Sequence, residues 1–212
     1  MTTVCKTLKN LNDEIVKNRI LDAAEEEFVE KGLYGARVDA ISMRSDVNKR
    51  IVYLHFESKE NLYKEVVSRI YSRMVMLEYE AINSDNPDVE TMKDIILFYY
   101  KFLSHNPSFV KIVLWENLMH AKYVSDANIY NMKAPVFESM RTILRKGIEN
   151  GNFRKDIDIE QTILSVNLFC FSSFSNITTM SILMNKDYST EEEIRLRANH
   201  ICDVIIKYIE NK

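Results

Sequence analysis

Seven side chains within residues 37–59 carry the chemistry that stands out in this chain: Arg37, Arg44, Asn48, Lys49, Arg50, Tyr53 and Lys59. Arg and Lys can grip phosphate or read guanine edges, and Asn can read adenine. A Tyr hydroxyl can donate to a phosphate or pack on a sugar. Lys59, at the start of a helix, can meet a phosphate with help from free backbone amides. Together that is the chemistry of recognising double-stranded DNA. No motif for covalent chemistry competes with it. The sequence has no glycine-rich phosphate loop, HExxH, GxSxG or paired-carboxylate pattern, so neither an enzyme nor a cofactor is expected. His55 has no Ser, Cys or carboxylate at motif spacing and reads as a packing or phosphate-facing residue. His105, His120 and His200 show no ligand spacing, and Cys5, Cys170 and Cys202 lie too far apart for a CxxC pair. No metal site is expected, and the cysteines read as reduced thiols of a cytoplasmic protein.

Such side chains need rigid elements to aim them. Residues 37–60 read as two short helices around a tight connector, a turn, and the start of a long helix. The second helix is expected over about 38–45, with Val38 and Ile41 inward. The third covers about 49–54, with Ile51 and Val52 inward, and Asp46-Val47-Asn48 makes the connector. A first helix over about 13–31 carries the stripe Ile20, Leu21, Ala24 and Phe28. Glu25, Glu26, Glu27 and Glu30 are assigned to its solvated face. Gly32 ends that helix in a left-handed conformation. Ser58 caps a fourth helix over about 59–83, with Leu62, Val66, Ile70 and Leu77 inward, and Asn86-Pro87 stops it.

The rest also reads as helix: about 89–104, 108–122, 127–149, 159–183 and 191–209. Pro135 predicts a kink or late start in the third of these. The last has two possible caps, Ser189 with Glu192 or Thr190 with Glu193. The fold class is therefore all-α, about nine helices in all. An N-terminal three-helix helix-turn-helix domain over 1–57 precedes a larger helical domain over 58–212. Four Gly and three Pro in 212 residues leave little material for the turns of a sheet. The formal net charge is −3, so any nucleic-acid-binding surface must be local. The N-terminus has no apolar core of a signal peptide. The uncharged stretch 163–184 is interrupted by Asn167, Ser172, Ser173, Ser175, Asn176, Thr178 and Thr179, so a buried helix is expected there, not a membrane span.

The chain resembles the tetracycline-repressor (TetR) family of bacterial transcription regulators. The likeness runs over residues 19–67: RILDAAEEEFVEKG, then LYGARVDAI, then VNKRIVYLHFESKENLY. The last is the specific part, with Val47, the polar pair Asn48-Lys49, Tyr53-Leu54-His55-Phe56 and Ser58-Lys59-Glu60 in register. Three departures stand out: Asp46 where a turn Gly is common, Ser42 where Ala is common, and Ala36-Arg37 in place of a capping Thr or Ser. The resemblance implies a homodimeric repressor on a palindromic operator, released by a small effector. The alternative is a helical ligand-binding or protein-interaction module that no longer binds DNA.

In the larger domain the resemblance covers only layout: Asn106-Pro107-Ser108-Phe109, Trp115-Glu116-Asn117, and residues 147–154. It implies effector binding there, and pairing of two subunits through the last two long helices. The stripe Ile194, Ala198, Ile201, Ile205 and Ile209 fits that pairing, and equally fits packing within one chain. Phe98, Phe102, Trp115, Met119, His120, Phe169 and Phe174 are candidates for a largely apolar or aromatic effector. Glu116 and Asn117 could add polar groups.

Overall fold

The computed structural model describes residues 2–82 and 87–211, with side chains from residue 12 onward. The Cys5 thiol and Asn86 therefore lie outside the described residues. Eleven helices and no strand are described, with one isolated β-bridge between Phe153 and Glu210. The all-α expectation holds, and two unforeseen breaks raise nine helices to eleven. The chain divides into two compact units.

The first unit holds residues up to Tyr71 together with Lys111–Ile129. It contains α1 (Thr2–Gly35), α2 (Val38–Ser45), α3 (Lys49–Phe56), the first part of α4 (Lys59–Ala81), the end of α6 (Pro107–Leu118) and α7 (Lys122–Asp126). The α1 stripe of Ile20, Leu21, Ala24 and Phe28 is buried as expected, with Phe28 edge-on to Tyr63 at 5.0 Å. Three expectations for α1 need correction. It begins at Thr2, it runs on to Gly35 across a kink at Gly32 (φ 64, ψ 178), and Glu27 is fully buried while Glu26 and Glu30 stay exposed. α3 runs two residues further than its pattern suggests, because Val52 and Phe56 are both buried one turn apart. Glu57 ends it at φ 63. The helix expected over 108–122 breaks where His120 and Ala121 both turn left-handed (φ 57 and 55). The buried Glu116 carboxylate repairs the break by accepting from the backbone N–H groups of Tyr123 at 3.0 Å and Val124 at 2.9 Å, the start of α7.

The second unit holds Ser72–Val110 and Tyr130–Lys212. Its helices are α5 (Val89–His105), α8 (Ile129–Glu149), α9 (Ile159–Ser175), α10 (Ile177–Leu183) and α11 (Glu191–Ile209). Ala198, Ile201, Ile205 and Ile209 of α11 are buried, and α11 packs against α5 and α9 of the same chain. Those four residues of the stripe are thus core, while Ile194 is half-buried. The outward faces of the same helices leave Leu164, Leu168, Leu196, Val204 and Tyr208 exposed. Thr190 is the cap that forms, accepting from the Glu193 N–H at 3.3 Å. Pro135 sits inside α8.

The single helix expected over 159–183 is in fact α9 and α10, bent by 68° at Asn176. The cause lies in the preceding turn. The hydroxyls of Ser172 and Ser173 both donate back to the Phe169 carbonyl, at 3.3 and 2.8 Å, which competes with the helix ladder. No single helix among the described residues is long and apolar enough to cross a membrane. In α4, Leu62, Val66 and Ile70 are buried, but Leu77 is 42% exposed. The inward row continues instead through Met74 to Glu78.

Candidate nucleic-acid interface

The connector between α2 and α3 is built from the residues that looked least suited to it. Asp46 adopts the left-handed conformation (φ 51, ψ 39) that a glycine would take more cheaply. Its N–H bonds the Met43 carbonyl at 3.3 Å and the Val47 N–H bonds the Ser42 carbonyl at 3.2 Å. Ser42 then closes the loop from the other side, its hydroxyl donating to the Val47 carbonyl at 2.6 Å. Both departures from the common pattern are therefore accommodated within one turn. Asp46→Gly is expected to stabilise the protein by up to about 1 kcal/mol, since the left-handed penalty is removed and only an exposed pair with Arg19 is lost. A thermal melt that falls on this substitution would show that Asp46 contributes more than its backbone costs.

The third departure has a substitute on α1. Arg37 makes no side-chain cap for α2, but its backbone N–H donates to Glu27 Oε1 at 3.2 Å. Glu27 also receives Arg44 at 3.4 Å and Lys31 at 3.5 Å. A carboxylate this deeply buried is tolerated only with such partners.

The seven candidate side chains fall into three groups. Arg44 is engaged with Glu26, Glu27 and Glu30 at 3.3, 3.4 and 3.0 Å, and the Glu30 hydrogen bond holds its guanidinium above its ordinary pKa. It clamps α2 onto α1. Asn48 and Lys59 are partly committed. The Asn48 carboxamide oxygen caps α3 by accepting from the Arg50 N–H at 2.8 Å, which leaves its NH2 group to donate outward. The Lys59 ammonium donates to the Ala36 carbonyl at 3.2 Å. Arg37, Lys49, Arg50 and Tyr53 make the third group, all exposed. Among the described residues the guanidiniums of Arg37 and Arg50 have no ion-pair partner. Lys49 pairs only with exposed Asp39 at 2.7 Å, a contact that water and salt weaken.

α3 presents one apolar side chain that its pattern did not single out. Leu54 is 76% exposed, one turn from Arg50 on the same outward face. An exposed Leu there can touch a thymine methyl group. His55 instead turns inward, its side chain 13% exposed, with Asp13 at 3.6 Å.

The seven aromatic-site candidates are not brought together. Trp115, Met119 and His120 belong to the first unit, where Trp115 lies against Gly32 and donates to the Val29 carbonyl at 3.5 Å. In the second unit, Phe102 is core and packs on Phe109 at 5.4 Å, with Phe98 beside it. Phe169 is half-buried. Only Phe174 lines the cavity of about 430 Å³ that the second unit contains at the α9–α10 bend. Tyr100, Ser173, Ile177, Met180 and Arg197 also line it and were not foreseen.

Residues 20–66 match the family described as bacterial regulatory proteins, tetR family, and residues 89–205 match the tetracyclin repressor-like C-terminal domain. The chain is 29% identical over 180 residues to the HTH-type transcriptional repressor NicS of Pseudomonas putida, covering 83% of this chain and 84% of the relative. Its fold is similar to that of a transcriptional regulator, SCO4942, from Streptomyces coelicolor: TM-score 0.70, 20% identity, 93% of this chain and 99% of the other. It is also similar to FadR from Bacillus subtilis, solved in complex with stearoyl-CoA: TM-score 0.67, 18% identity, 91% and 98% covered.

Proposed function

The chain belongs to the TetR family of bacterial transcription regulators, and from that premise we propose that it is a homodimeric repressor whose α3 reads a palindromic operator and whose second unit binds a releasing small molecule. The observation that carries the DNA reading is the contrast around α3. Arg44 and the α1 carboxylates neutralise one another, while Arg37, Lys49, Arg50 and Tyr53 remain exposed on a molecule of net charge −3. Arg50, Lys49 and the Asn48 NH2 group face base edges, with Leu54 beside them. Arg37, Tyr53 and Lys59 grip phosphates, and Arg44 serves by holding α2 in place. The exposed apolar residues on α9 and α11 support pairing of two copies there. Two readers would then match half-sites roughly 34–36 Å apart. An effector that prefers a mismatched separation lowers operator affinity by linkage.

Fluorescence anisotropy with the DNA upstream of the protein's own gene tests this. Binding should be salt-sensitive, with two chains per duplex. Arg50→Ala is expected to weaken operator binding by about 5- to 160-fold, the equivalent of about 1–3 kcal/mol, with little change on scrambled DNA. Lys59→Ala should weaken both and lower the salt slope by about one. If micromolar protein shows no salt-sensitive binding, the second unit alone is functional and the chain is a helical ligand-binding module.

A further inference from the structure

The cavity at the α9–α10 bend has a charge balance that selects its ligand. Resting on the effector role assigned to the second unit, we propose that this cavity binds a monocarboxylate with an apolar body, the carboxylate on Arg197 and the body against Phe174, Ile177, Met180 and Ile194. Its volume of about 430 Å³ lies within the range of small-molecule sites. Two formal charges line it, Glu193 and Arg197. Glu193 is already neutralised by Lys186 at 2.7 Å. Arg197 has no carboxylate partner among the described residues. The uncompensated charge facing the cavity is therefore positive.

Hydrogen-bond bookkeeping then shows which edge of Arg197 is available. The Ser173 hydroxyl donates to the Phe169 carbonyl at 2.8 Å, so its proton is committed. It must act as acceptor toward Tyr100, 2.7 Å away, and toward Arg197 Nε, 3.5 Å away. Burial pushes the Tyr100 hydroxyl up to about 12, so it stays a donor at neutral pH. Ser173 thus meets Arg197 at its Nε, and the Tyr100 hydroxyl also interacts with the guanidinium, so the outer part of the terminal fork is what a ligand can reach. That fork is the geometry a carboxylate accepts in a bidentate pair. An alcohol would use half of it, and a cation would be repelled.

The floor opposite is adaptable. α10 buries none of its residues, although Ile177, Met180, Ile182 and Leu183 make it strongly apolar. Met180 and Met184 can rearrange around bodies of different shape, as unbranched thioether side chains do. An apolar ligand would cover part of this surface and stiffen the bend. The bend ends α9, and α10 leads from it to α11, so its stiffening gives the effector a route to the two helices assigned to subunit pairing and to the separation of the readers.

Isothermal titration calorimetry of the full-length protein tests the proposal with decanoate, 4-phenylbutanoate and their primary amides. At least one acid should bind at least tenfold more tightly than its amide, and the two acids separate an alkyl from an aryl body. Arg197→Gln should bring the acid down to the amide's affinity and leave the amide unchanged. Ser173→Ala, which frees Nε, should give an intermediate loss. Absence of binding by both acids at millimolar concentration overturns the proposal, as does tight binding that Arg197→Gln does not alter. The effector role is scored separately by anisotropy. Arg197-dependent binding that leaves DNA affinity unchanged keeps the ligand class and removes the effector role. Release from DNA by a compound indifferent to Arg197→Gln does the reverse.

Discussion

Replacing Lys133 by methionine is expected to destabilise the second unit by about 3–5 kcal/mol, the cost of leaving a buried charge without its partner. Glu78 is fully buried and Lys133 is 9% exposed. The Lys133 ammonium contacts both Glu78 oxygens, that to Oε2 at 2.6 Å, and sits over the Phe137 ring at 5.3 Å. The Tyr99 hydroxyl donates to Glu78 Oε1 at 2.8 Å. Burial lowers the Lys133 pKa, while the Glu78 charge opposes that shift. Methionine keeps the length and apolar stem of lysine, so the cavity contribution is small and the loss is electrostatic. The carboxyl would be left with Tyr99 alone.

The same geometry predicts a rescue. Glu78→Leu and Lys133→Met with Tyr99→Phe removes both charges and the hydroxyl that would otherwise lose its acceptor. That variant should recover to within about 1 kcal/mol of the parent, or exceed it, because a buried ion pair rarely outperforms apolar residues of similar volume. Urea unfolding of the two variants decides the matter. A loss below about 1 kcal/mol for Lys133→Met would mean that the pair behaves as a surface contact.

This cluster is invisible to an apolar pattern. The i, i+4 row Leu62, Val66, Ile70, Met74 continues to Glu78, and an apolar criterion steps aside to Leu77 there. Lys133 likewise interrupts the α8 row of Ile129, Val136, Met140 and Leu144, all buried. Glu27 is lost the same way, as one of three consecutive glutamates of which it alone turns fully inward. Periodicity shows which face is buried, but a charge on that face is legible only through a partner distant in sequence. Local signals fared better. The bounds of α2 and α11, the Ser58 cap and the left-handed Gly32 all depend on residues within one turn of each other. The reading helix was legible for that reason. The α9–α10 cavity was not, because it depends on a bend set by two serine hydroxyls that a composition count treats as ordinary polar interruptions.

Gly32→Ala is the second large effect expected, about 2–4 kcal/mol of lost stability in the first unit from two separable causes. Gly32 stands at φ 64, ψ 178, a conformation open in practice to glycine alone. A Cβ there would also meet two carbons of the Trp115 indole at 2.9 Å. The glycine makes the kink inside α1, and the Ala36 N–H still bonds the Gly32 carbonyl at 3.1 Å, so relaxing φ would pull the turn that follows it apart. Trp115→Ala opens space for the methyl group without changing the backbone demand. If the overlap matters, the double variant Gly32→Ala/Trp115→Ala should be more stable than the sum of the single losses allows, by about 0.5–3 kcal/mol. Strict additivity would assign the whole cost to backbone strain, and a Gly32→Ala melt within a degree of the parent would remove both causes. The operator assay adds a functional axis. The α1–α2 turn sets where Arg37 and the Glu27 cap of α2 lie, so Gly32→Ala should weaken DNA binding even at temperatures where the protein remains folded.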